Sequence, residues 1–361
     1  MSTLPFLPYA VARRALSAYR ASGADLPFGD PRVAHGVSME GYFWRVTDVD
    51  SGRVVIALIG VNRDRDGRSW ATVGLAGHPE PMLATVAAEL GWADPVQLGA
   101  VARDSLGAEV FGGDDRSVRV DLGPGSRMEI EVTEPALWPH RRFGGSSGFQ
   151  SVPALNQYWH PWLLGGRVSG WAEIGAERWE FSDAQIYGEK NWGREGFPES
   201  WWWGQAQGFA ERGACVAFAG GQVTAGPLRT EVTGLVVRLP DGEVVRLGNP
   251  VASPVDARVG EDTWDLRGRS VAGWEIEVHA RSPLAAAHVL PVPLPSERRN
   301  IPGALEHLAG TLDVVVRHRG SQVWAGRSEL AGLEHGSLEL SAAEMRRRGA
   351  SQDAEGAPPS R

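Results

Sequence analysis

The sequence predicts an all-β protein built from two tandem antiparallel barrels or sandwiches, with few and short helices. Glycine accounts for 46 of the 361 residues. Its average usage is roughly 7%, so this excess favours many turns and short strands over long helices. Apolar and aromatic runs of strand length recur between turn residues. One such pattern, an aromatic triplet followed by a strand, a polar turn and an apolar strand, occurs twice.

Two segments predict helices. Residues 9–20 (YAVARRALSAYR) place Ala, Leu and Tyr on one side of a helix and Arg on the other. Such a helix either packs on the neighbouring domain or makes a weak contact with a membrane surface. Residues 80–91 (EPMLATVAAELG) predict a second helix between strands, which ends at Gly91 because glycine is a common C-terminal stop.

The other regular segments predict strands. Residues 41–48 and 53–61 flank the sequence VDSG (49–52), which is typical of a hairpin connection. Residues 178–187 begin with RWEF, whose polarity alternates as expected for a half-buried strand. Further strands are predicted at 69–75, 116–122, 127–133, 168–174, 201–210, 213–220, 230–239, 243–248, 271–281, 311–318 and 321–329.

The repeated pattern predicts the domain organisation. Residues 42–60 (YFWRVTDVDSGRVVIALIG) and 201–220 (WWWGQAQGFAERGACVAFAG) share one plan at an offset of about 159 residues. Each unit is expected to form a barrel or sandwich of about eight strands. We therefore predict an N-terminal domain over residues 1–197, a C-terminal domain over 198–341, and a solvated, disordered tail over 342–361.

Composition excludes several classes of protein. The net charge of −8 argues against a nucleic-acid partner, because such binding depends on a basic surface. No apolar run approaches the roughly 18 residues of a membrane-spanning helix, and no compact apolar signal segment opens the chain. Cys215, the single cysteine, permits no internal disulfide. We expect a cytoplasmic protein, and no spacing resembles a metal site or a nucleotide-binding loop.

The densest cluster of reactive side chains lies at the junction of the two predicted units. Lys190, the only lysine of the chain, stands between Glu189 and Asn191. Strand alternation puts Asp183 and Tyr187 on one face, and we expect the segment from Glu189 to Asn191 to leave the strand into a loop. A lysine retained where arginine serves elsewhere suggests a need for a compact ammonium group. The alternative is a solvated Glu189–Lys190 ion pair at a barrel rim.

His160 and Glu40 are weaker candidates. His160 lies among aromatic residues in YWHPW (158–162), where it transfers a proton in a pocket or packs as a hydrogen-bonded core residue. Glu40 opens the first strand among apolar residues, and a buried carboxyl group there is expected to have a raised pKa.

The same cluster carries a resemblance to a known family. Several segments closely resemble tocopherol cyclase and its bacterial relatives, namely GWAE (170–173), ERWEF (177–181), EKNWG (189–193), GFP (196–198) and WWW (201–203). The segment SMEGYFWRV (38–46) resembles the first strand of that family. The likeness spans residues 35–335 and is strongest over 160–205.

The resemblance implies two lipocalin-like barrels and an intramolecular cyclisation that closes a chromanol ring on a prenylated hydroquinone. A proton is delivered to a trisubstituted alkene, and the phenol oxygen then captures the tertiary carbocation. This reaction needs an acid, little water and an apolar slot, and it calls for no redox cofactor and no metal. The implied partner is a hydrophobic small molecule, a prenyl quinol or related isoprenoid.

The motif identifies the region of the site, and the chemistry of this reaction suggests hypothetical roles for its residues. Glu189 or Asp183 donates the proton, and Lys190 tunes or orients the donor. Asn191 fixes the loop or holds the phenol. The residues expected to contact the substrate are Trp192, Trp201, Trp203, Tyr187, His160 and Glu40.

Two other functions stay open at this point. A carrier of a lipid or pigment would use the same barrels without an acid beside the slot. A related enzyme on the same double barrel would hydrate a carotenoid alkene or catalyse a pericyclic cyclisation. A carboxyl group buried beside an apolar cavity favours an enzyme over a carrier.

Overall fold

The computed structural model of the protein describes residues 9–26, 29–139, 146, 148–194 and 196–348. Strands dominate these residues, which confirms the predicted all-β class. In this part of the chain, no helix has the length and apolar character needed to span a bilayer. The helices are α1 (Tyr9–Ala21) and α2 (Leu338–Arg347), with short 3-10 turns at Gly148–Ser151, Leu284–Ala286 and Pro295–Glu297.

The first antiparallel sheet contains twelve strands within the described residues. They are β1 (Met39–Asp48), β2 (Arg53–Arg63), β3 (Ser69–His78), β4 (Leu83–Ala88), β5 (Leu90–Ala93), β6 (Gly99–Arg103), β7 (Glu109–Asp114), β8 (Ser117–Asp121), β9 (Ser126–Thr133), β10 (Gln157–Leu163), β11 (Arg167–Ile174) and β12 (Glu177–Gly193). Their order in space is β4-β3-β2-β1-β12-β11-β9-β8-β7-β6-β5, with β10 also pairing with β12. Because Glu89 alone joins β4 to β5, the two ends of this order meet and the sheet curls into a barrel.

The second antiparallel sheet contains ten strands in the same described part of the chain. They are β13 (Ser200–Ala206), β14 (Cys215–Ala225), β15 (Leu228–Arg238), β16 (Val244–Leu247), β17 (Val255–Val259), β18 (Thr263–Arg269), β19 (Trp274–Arg281), β20 (His288–Leu294), β21 (Arg299–His318) and β22 (Ser321–Ser337). Their order is β16-β15-β14-β13-β22-β21-β19-β18-β17, with β20 pairing with β21. Both sheets thus place their first strand between their second strand and their last.

Alternation along β1 sends side chains to two different places. Trp44 points into the apolar core of the first barrel, whereas Phe43 and Arg45 point outward to the second barrel. The ring centroid of Phe43 lies 5.3 Å from that of Trp203, and Arg45 donates a hydrogen bond of 3.0 Å to Gln205 Oε1. The outer faces of β1 and β13 therefore form the contact between the barrels.

The same alternation corrects the predicted repeat by one residue. Phe43 lies opposite Glu189 on β12, and Trp203 lies opposite Glu334 on β22. Both pairs face the neighbouring barrel, so the two units correspond at an offset of 160 residues, the separation of Arg45 and Gln205. The aromatic triplets suggest 159, but a shift of one residue in a strand reverses the face of every side chain.

The helix predicted over residues 80–91 is wrong. These residues form β4 and β5, which pair with β3 and β6 where the barrel closes. Strand pairing at the closure therefore outweighs the local helix propensity of the Ala-rich segment. Gly91 stops no helix. A Cβ atom at that position would lie 2.6 Å from the carbonyl oxygen of Trp70, so glycine permits the close approach of two strands.

Helix α1 confirms the N-terminal helix, although most of its described side chains are exposed. Val11 is 46% exposed and Leu16 is 49% exposed. The last turn anchors the helix, because Tyr19 Oη donates a hydrogen bond of 2.6 Å to the carbonyl of Ser151. Arg20 donates another of 2.7 Å to the carbonyl of Val33.

Helix α2 replaces the first part of the predicted tail. The hydroxyl of Ser337 accepts a hydrogen bond of 3.3 Å from the backbone N–H of Leu340 and caps the helix. Glu344 pairs with Arg347 and Arg348 within the last turn. Residues 342–347 are therefore helical, and the tail prediction for residues 349–361 lies outside the described residues.

Candidate active site between the two barrels

A cavity of about 200 Å³ lies where the outer faces of the two barrels meet. Apolar and aromatic side chains form most of its wall, and both barrels contribute them. Polar groups on the wall include three carboxyl groups and an amide. The aromatic wall includes Phe43, Tyr158, Trp159, Phe197, Trp201 and Trp203, and the polar groups include Glu189, Asn191, Glu306 and Glu334.

Glu189 is the carboxyl group that the first barrel contributes to the cavity. Three hydrogen-bond donors converge on its Oε2 atom, from Trp159 Nε1 at 2.7 Å, Tyr187 Oη at 2.6 Å and Trp203 Nε1 at 2.7 Å. Two of these donors come from the first barrel and one from the second. Because all three occupy Oε2, a proton on this carboxyl group resides on Oε1.

Burial raises the pKa of Glu189 above its ordinary value, although the donors from Tyr187, Trp159 and Trp203 act in the opposite direction. A carboxyl group in this setting holds its proton more tightly than a solvated one. The same three donors stabilise the carboxylate as soon as the proton leaves. Glu189 is therefore an acid that can deliver a proton inside an apolar cavity.

Glu306 and Glu334 form a pair of carboxyl groups on the opposite wall. They lie directly across from each other on β21 and β22, so their carboxyl groups are neighbours on the wall that the second barrel contributes. Burial, followed by the charge of Glu334, raises the pKa of Glu306 well above its ordinary value. Burial also raises the pKa of Glu334 to about 7, and the indole N–H of Trp201 donates to this carboxyl group.

Arg45 is the buried cation next to this pair. Its guanidinium donates to Thr47 Oγ1 at 2.7 Å, and to the carbonyls of Leu308 at 2.8 Å and Leu330 at 2.5 Å. Burial lowers the pKa of Arg45 to about 10, and the charge of Glu306 acts against this change. Arg45 is thus cationic at neutral pH and, from behind the cavity wall, balances one negative charge at Glu306.

Asn191 contributes an amide group to the cavity wall. It lies opposite Gly41 on β1, and a Cβ atom at that glycine would collide with its amide. Within the described part of the chain, the buried Oδ1 atom of Asn191 has no hydrogen-bond partner. It is therefore available to accept a hydrogen bond from a hydroxyl group of a ligand.

Lys190 does not lie in this cavity, and residues 189–191 do not form the predicted loop. They continue β12, so Glu189 and Lys190 point to opposite faces of the sheet. Lys190 Nζ is buried inside the first barrel, 2.9 Å from Glu40 Oε2. It also donates to the carbonyl of Val33 at 2.8 Å and to His35 Nδ1 at 3.0 Å. The proposed orientation of a donor by Lys190 therefore has no contact to support it.

Three other predicted substrate contacts also point into the first barrel. Trp192 stacks on His35 with ring centroids 4.4 Å apart. His160 is buried 5.4 Å from Trp138, ring centroid to centroid. Glu40 is paired with Lys190, which together with backbone N–H groups outweighs the effect of burial. The pKa of Glu40 is therefore lowered, opposite to the predicted direction.

Asp183 lies at the surface, away from the cavity. Its carboxylate forms ion pairs with Arg167 and, at 2.6 Å, with Arg212, and its side chain is 43% exposed. Because two surface guanidinium groups hold this carboxylate and it does not line the cavity, it is not placed to donate a proton there. Asp183 and the site residue Glu189 both point outward from the first barrel. Strand alternation alone therefore does not distinguish the two positions.

Of the remaining predicted residues, the structure brings Glu189, Asn191, Trp201 and Trp203 together around the cavity. Tyr187 stands behind Glu189 and supports it through a hydrogen bond. No described group of three or more His, Cys, Asp or Glu side chains is arranged to hold a metal ion.

Sequence reasoning missed Glu306, Glu334, Trp159 and Arg45. The predicted strands 311–318 and 321–329 stop short of both glutamates, because β21 begins at Arg299 and β22 ends at Ser337. One available signal is the tripeptide Leu-Glu-His, which occurs at 305–307 and again at 333–335. Each of these tripeptides places one glutamate inside an apolar run of strand length. A carboxyl group in such a run is unusual, because acidic residues are rarely buried in a core.

Comparisons with known proteins agree with this architecture. A family model described as tocopherol cyclase-like matches residues 129–337. The "Probable tocopherol cyclase, chloroplastic" of Oryza sativa subsp. japonica is 42% identical over 73 residues, which are 20% of this chain and 15% of that protein. The "Tocopherol cyclase, chloroplastic" of Zea mays is 41% identical over 59 residues, 16% of this chain and 12% of that protein. These alignments cover far less than two thirds of the plant proteins.

A solved structure shares the fold. The crystal structure of CghA with Sch210972 matches with a TM-score of 0.56 and 11% identity, over 84% of this chain and 89% of that chain. The two sheets of this chain form the pair of lipocalin-like barrels that the sequence predicted. The family model covers more than half of the 361 residues, so the chain belongs to the tocopherol cyclase-like family.

Proposed function

We propose that this protein is an enzyme that closes an oxygen-containing ring on a prenylated hydroquinone or related prenylated phenol, with Glu189 as the proton donor. The observation that carries the proposal is a buried carboxyl group of raised pKa that faces an aromatic cavity between the barrels. Membership of the tocopherol cyclase-like family supports the same class of reaction.

The first step is transfer of the Glu189 proton to the less substituted carbon of an alkene. The π electrons of the alkene form the new C–H bond and leave a tertiary cation on the neighbouring carbon. The three donors on Glu189 Oε2 stabilise the carboxylate that develops. Positioned general acids contribute typically about 10²- to 10⁴-fold to a rate.

The second step is attack of the phenol oxygen on the cation. Aromatic faces of Trp201, Trp203 and Phe43 line the cavity and attract a cation by about 0.5–2 kcal/mol each. Asn191 Oδ1 accepts a hydrogen bond from a hydroxyl group of the aromatic head. Holding the phenol and the alkene together removes the entropic cost of their encounter. The new C–O bond forms as the phenolic O–H bond gives up its proton, so the product is an isomer of the substrate.

Incubation of the purified protein with a prenyl benzoquinol in deuterated water tests this function. We expect a cyclic product that carries one carbon-bound deuterium, as measured by mass spectrometry and NMR. Recovery of unchanged quinol bound to the protein would instead assign a carrier. A product that gained the elements of water would assign a hydratase.

A further inference from the structure

We infer that the cross-strand pair Glu306–Glu334 is the catalytic base of this site and receives the phenolic proton during ring closure. The inference rests on the proposed function and assigns the second half of its proton transfer. Glu189 and this pair lie on walls that belong to different barrels, and both line one cavity. Acid and base thus come from different barrels and face the same cavity.

Geometry makes the pair accessible to a substrate hydroxyl. Glu306 is 1% exposed, yet its Oε1 atom has no hydrogen-bond partner among the residues that the structure describes. Trp201 Nε1 donates to Glu334 Oε1, so the neighbouring carboxyl group already holds a donor on one of its oxygen atoms. A buried acceptor without a donor costs free energy, and a phenolic O–H at this point would satisfy it.

Charge balance describes the protonation state of the pair once Glu334, whose pKa is about 7, has ionised. The charged groups that face it are Arg45 from β1 and Glu189 from β12. Two carboxylates this close cannot both ionise in an apolar wall, so they share one proton. The remaining negative charge is balanced by Arg45, which is fully buried and close enough for the charge of Glu306 to act on it. The pair can therefore accept exactly one further proton.

The proton balance of the cycle then closes. Glu189 Oε1–H loses its proton to the alkene carbon, and the phenol oxygen forms the C–O bond with the cation. The phenolic O–H bond breaks and its proton passes to the Glu306–Glu334 pair. After product release, a proton returns from the pair to Glu189 through water that enters the open cavity. No oxidant, reductant or co-reactant is required.

Two isosteric variants, Glu306→Gln and Glu334→Gln, test the base in the prenyl benzoquinol reaction in deuterated water. We expect chromanol formation to fall by about 10²-fold or more. Recovered quinol should meanwhile gain carbon-bound deuterium, because Glu189 still protonates the alkene reversibly. Glu329→Gln removes an exposed carboxylate from the same strand as Glu334 and serves as the matched control.

Two results would overturn the inference. One is chromanol formation at the wild-type rate in both variants. The other is an equal loss of chromanol formation and deuterium uptake, since a merely structural role predicts that both decline together. Failure of the proposed function is distinguishable, because it appears in the wild-type protein as absence of both chromanol and deuterium.

A second measurement examines the pair without substrate. The infrared C=O band of a protonated carboxyl group is absent from a carboxylate, so a shared proton gives a band that titrates near neutral pH. We expect Glu334→Gln to remove the titration of this band and Glu329→Gln to retain it. An unchanged titration in Glu334→Gln would contradict proton sharing by the pair.

Discussion

Replacement of Lys190 by Met tests whether the only lysine of the chain stabilises the fold from inside the first barrel. Lys190 Nζ uses its three protons on Val33 O, His35 Nδ1 and Glu40 Oε2, at 2.8, 3.0 and 2.9 Å. Met has a similar length and no donor. In the variant, the buried Glu40 carboxylate retains the backbone N–H groups of His35 and Gly36 but has lost its counter-ion.

The expected loss of stability depends on whether the unpaired Glu40 becomes protonated or stays ionised. Protonating a carboxyl group of ordinary pKa near 4.3 at pH 7 costs about 3.7 kcal/mol, which is 2.7 pH units at about 1.36 kcal/mol each. Breaking a buried ion pair by removing one partner costs about 3–5 kcal/mol. We therefore expect Lys190→Met to lower the free energy of unfolding by about 3–4 kcal/mol at pH 7.

The loss should shrink as the pH falls. In the wild type the pKa of Glu40 is lowered, so its contribution is fully present above the unfolded pKa and changes little between pH 7 and pH 5. In the variant, protonation of Glu40 costs only about 1 kcal/mol at pH 5. His35 changes in the same direction, because the charge of Lys190 no longer opposes its protonation beside Asp25.

Urea unfolding followed by tryptophan fluorescence at pH 7 and pH 5 measures both effects. Arg178→Met removes one partner of the exposed Arg178–Glu180 pair on the same strand and should have a far smaller effect. Addition of Glu40→Gln should recover part of the stability lost in Lys190→Met. A Lys190→Met variant as stable as the wild type at pH 7, or one destabilised more at pH 5, would refute the reasoning.

Two further substitutions address the cavity. Tyr187→Phe removes one donor from Glu189. A hydrogen bond to a charged group is worth about 1.5–3 kcal/mol, so cyclisation should slow by about 10- to 100-fold, and the high-pH limb of the rate profile should move upward as the pKa of Glu189 rises. An unchanged profile would contradict the role of Tyr187. Gly336→Ala places a Cβ atom inside the ring of Trp201, so it should displace this indole from Glu334 and weaken quinol binding, measured by fluorescence titration. Unaltered affinity would contradict that placement of Trp201.

The sequence predicted the positions of the strands better than it predicted which strands pair with one another. The hairpin of β1 and β2 follows from alternating apolar residues around VDSG (49–52), a local signal. The segment 80–91 shows the limit of local signals, because pairing with β3 and β6 decides its conformation. That pairing joins residues distant in sequence, and propensity carries no information about it.

Only part of the site was predicted, because its contacts also join residues that are distant in sequence. Glu189 and Asn191 were found because their motif is specific, but Lys190 was placed beside them although it points to the opposite face. Polar residues in sequence suggested a loop, whereas the buried acceptors of Val33, His35 and Glu40 satisfy Lys190 within a strand. These partners come from the segment before β1 and from β1 itself, so only the folded chain reveals them.

The most direct test of proton donation by Glu189 is a single-turnover reaction of a prenyl benzoquinol in deuterated water. Glu189→Gln is compared with the wild type and with Glu180→Gln, which alters an exposed carboxylate of the same strand. The account predicts carbon-bound deuterium in the cyclic product of the wild type and of Glu180→Gln. In Glu189→Gln, both the product and the deuterium in recovered quinol should fall by about 10²-fold or more. Deuterium uptake at the wild-type rate in folded Glu189→Gln would contradict it.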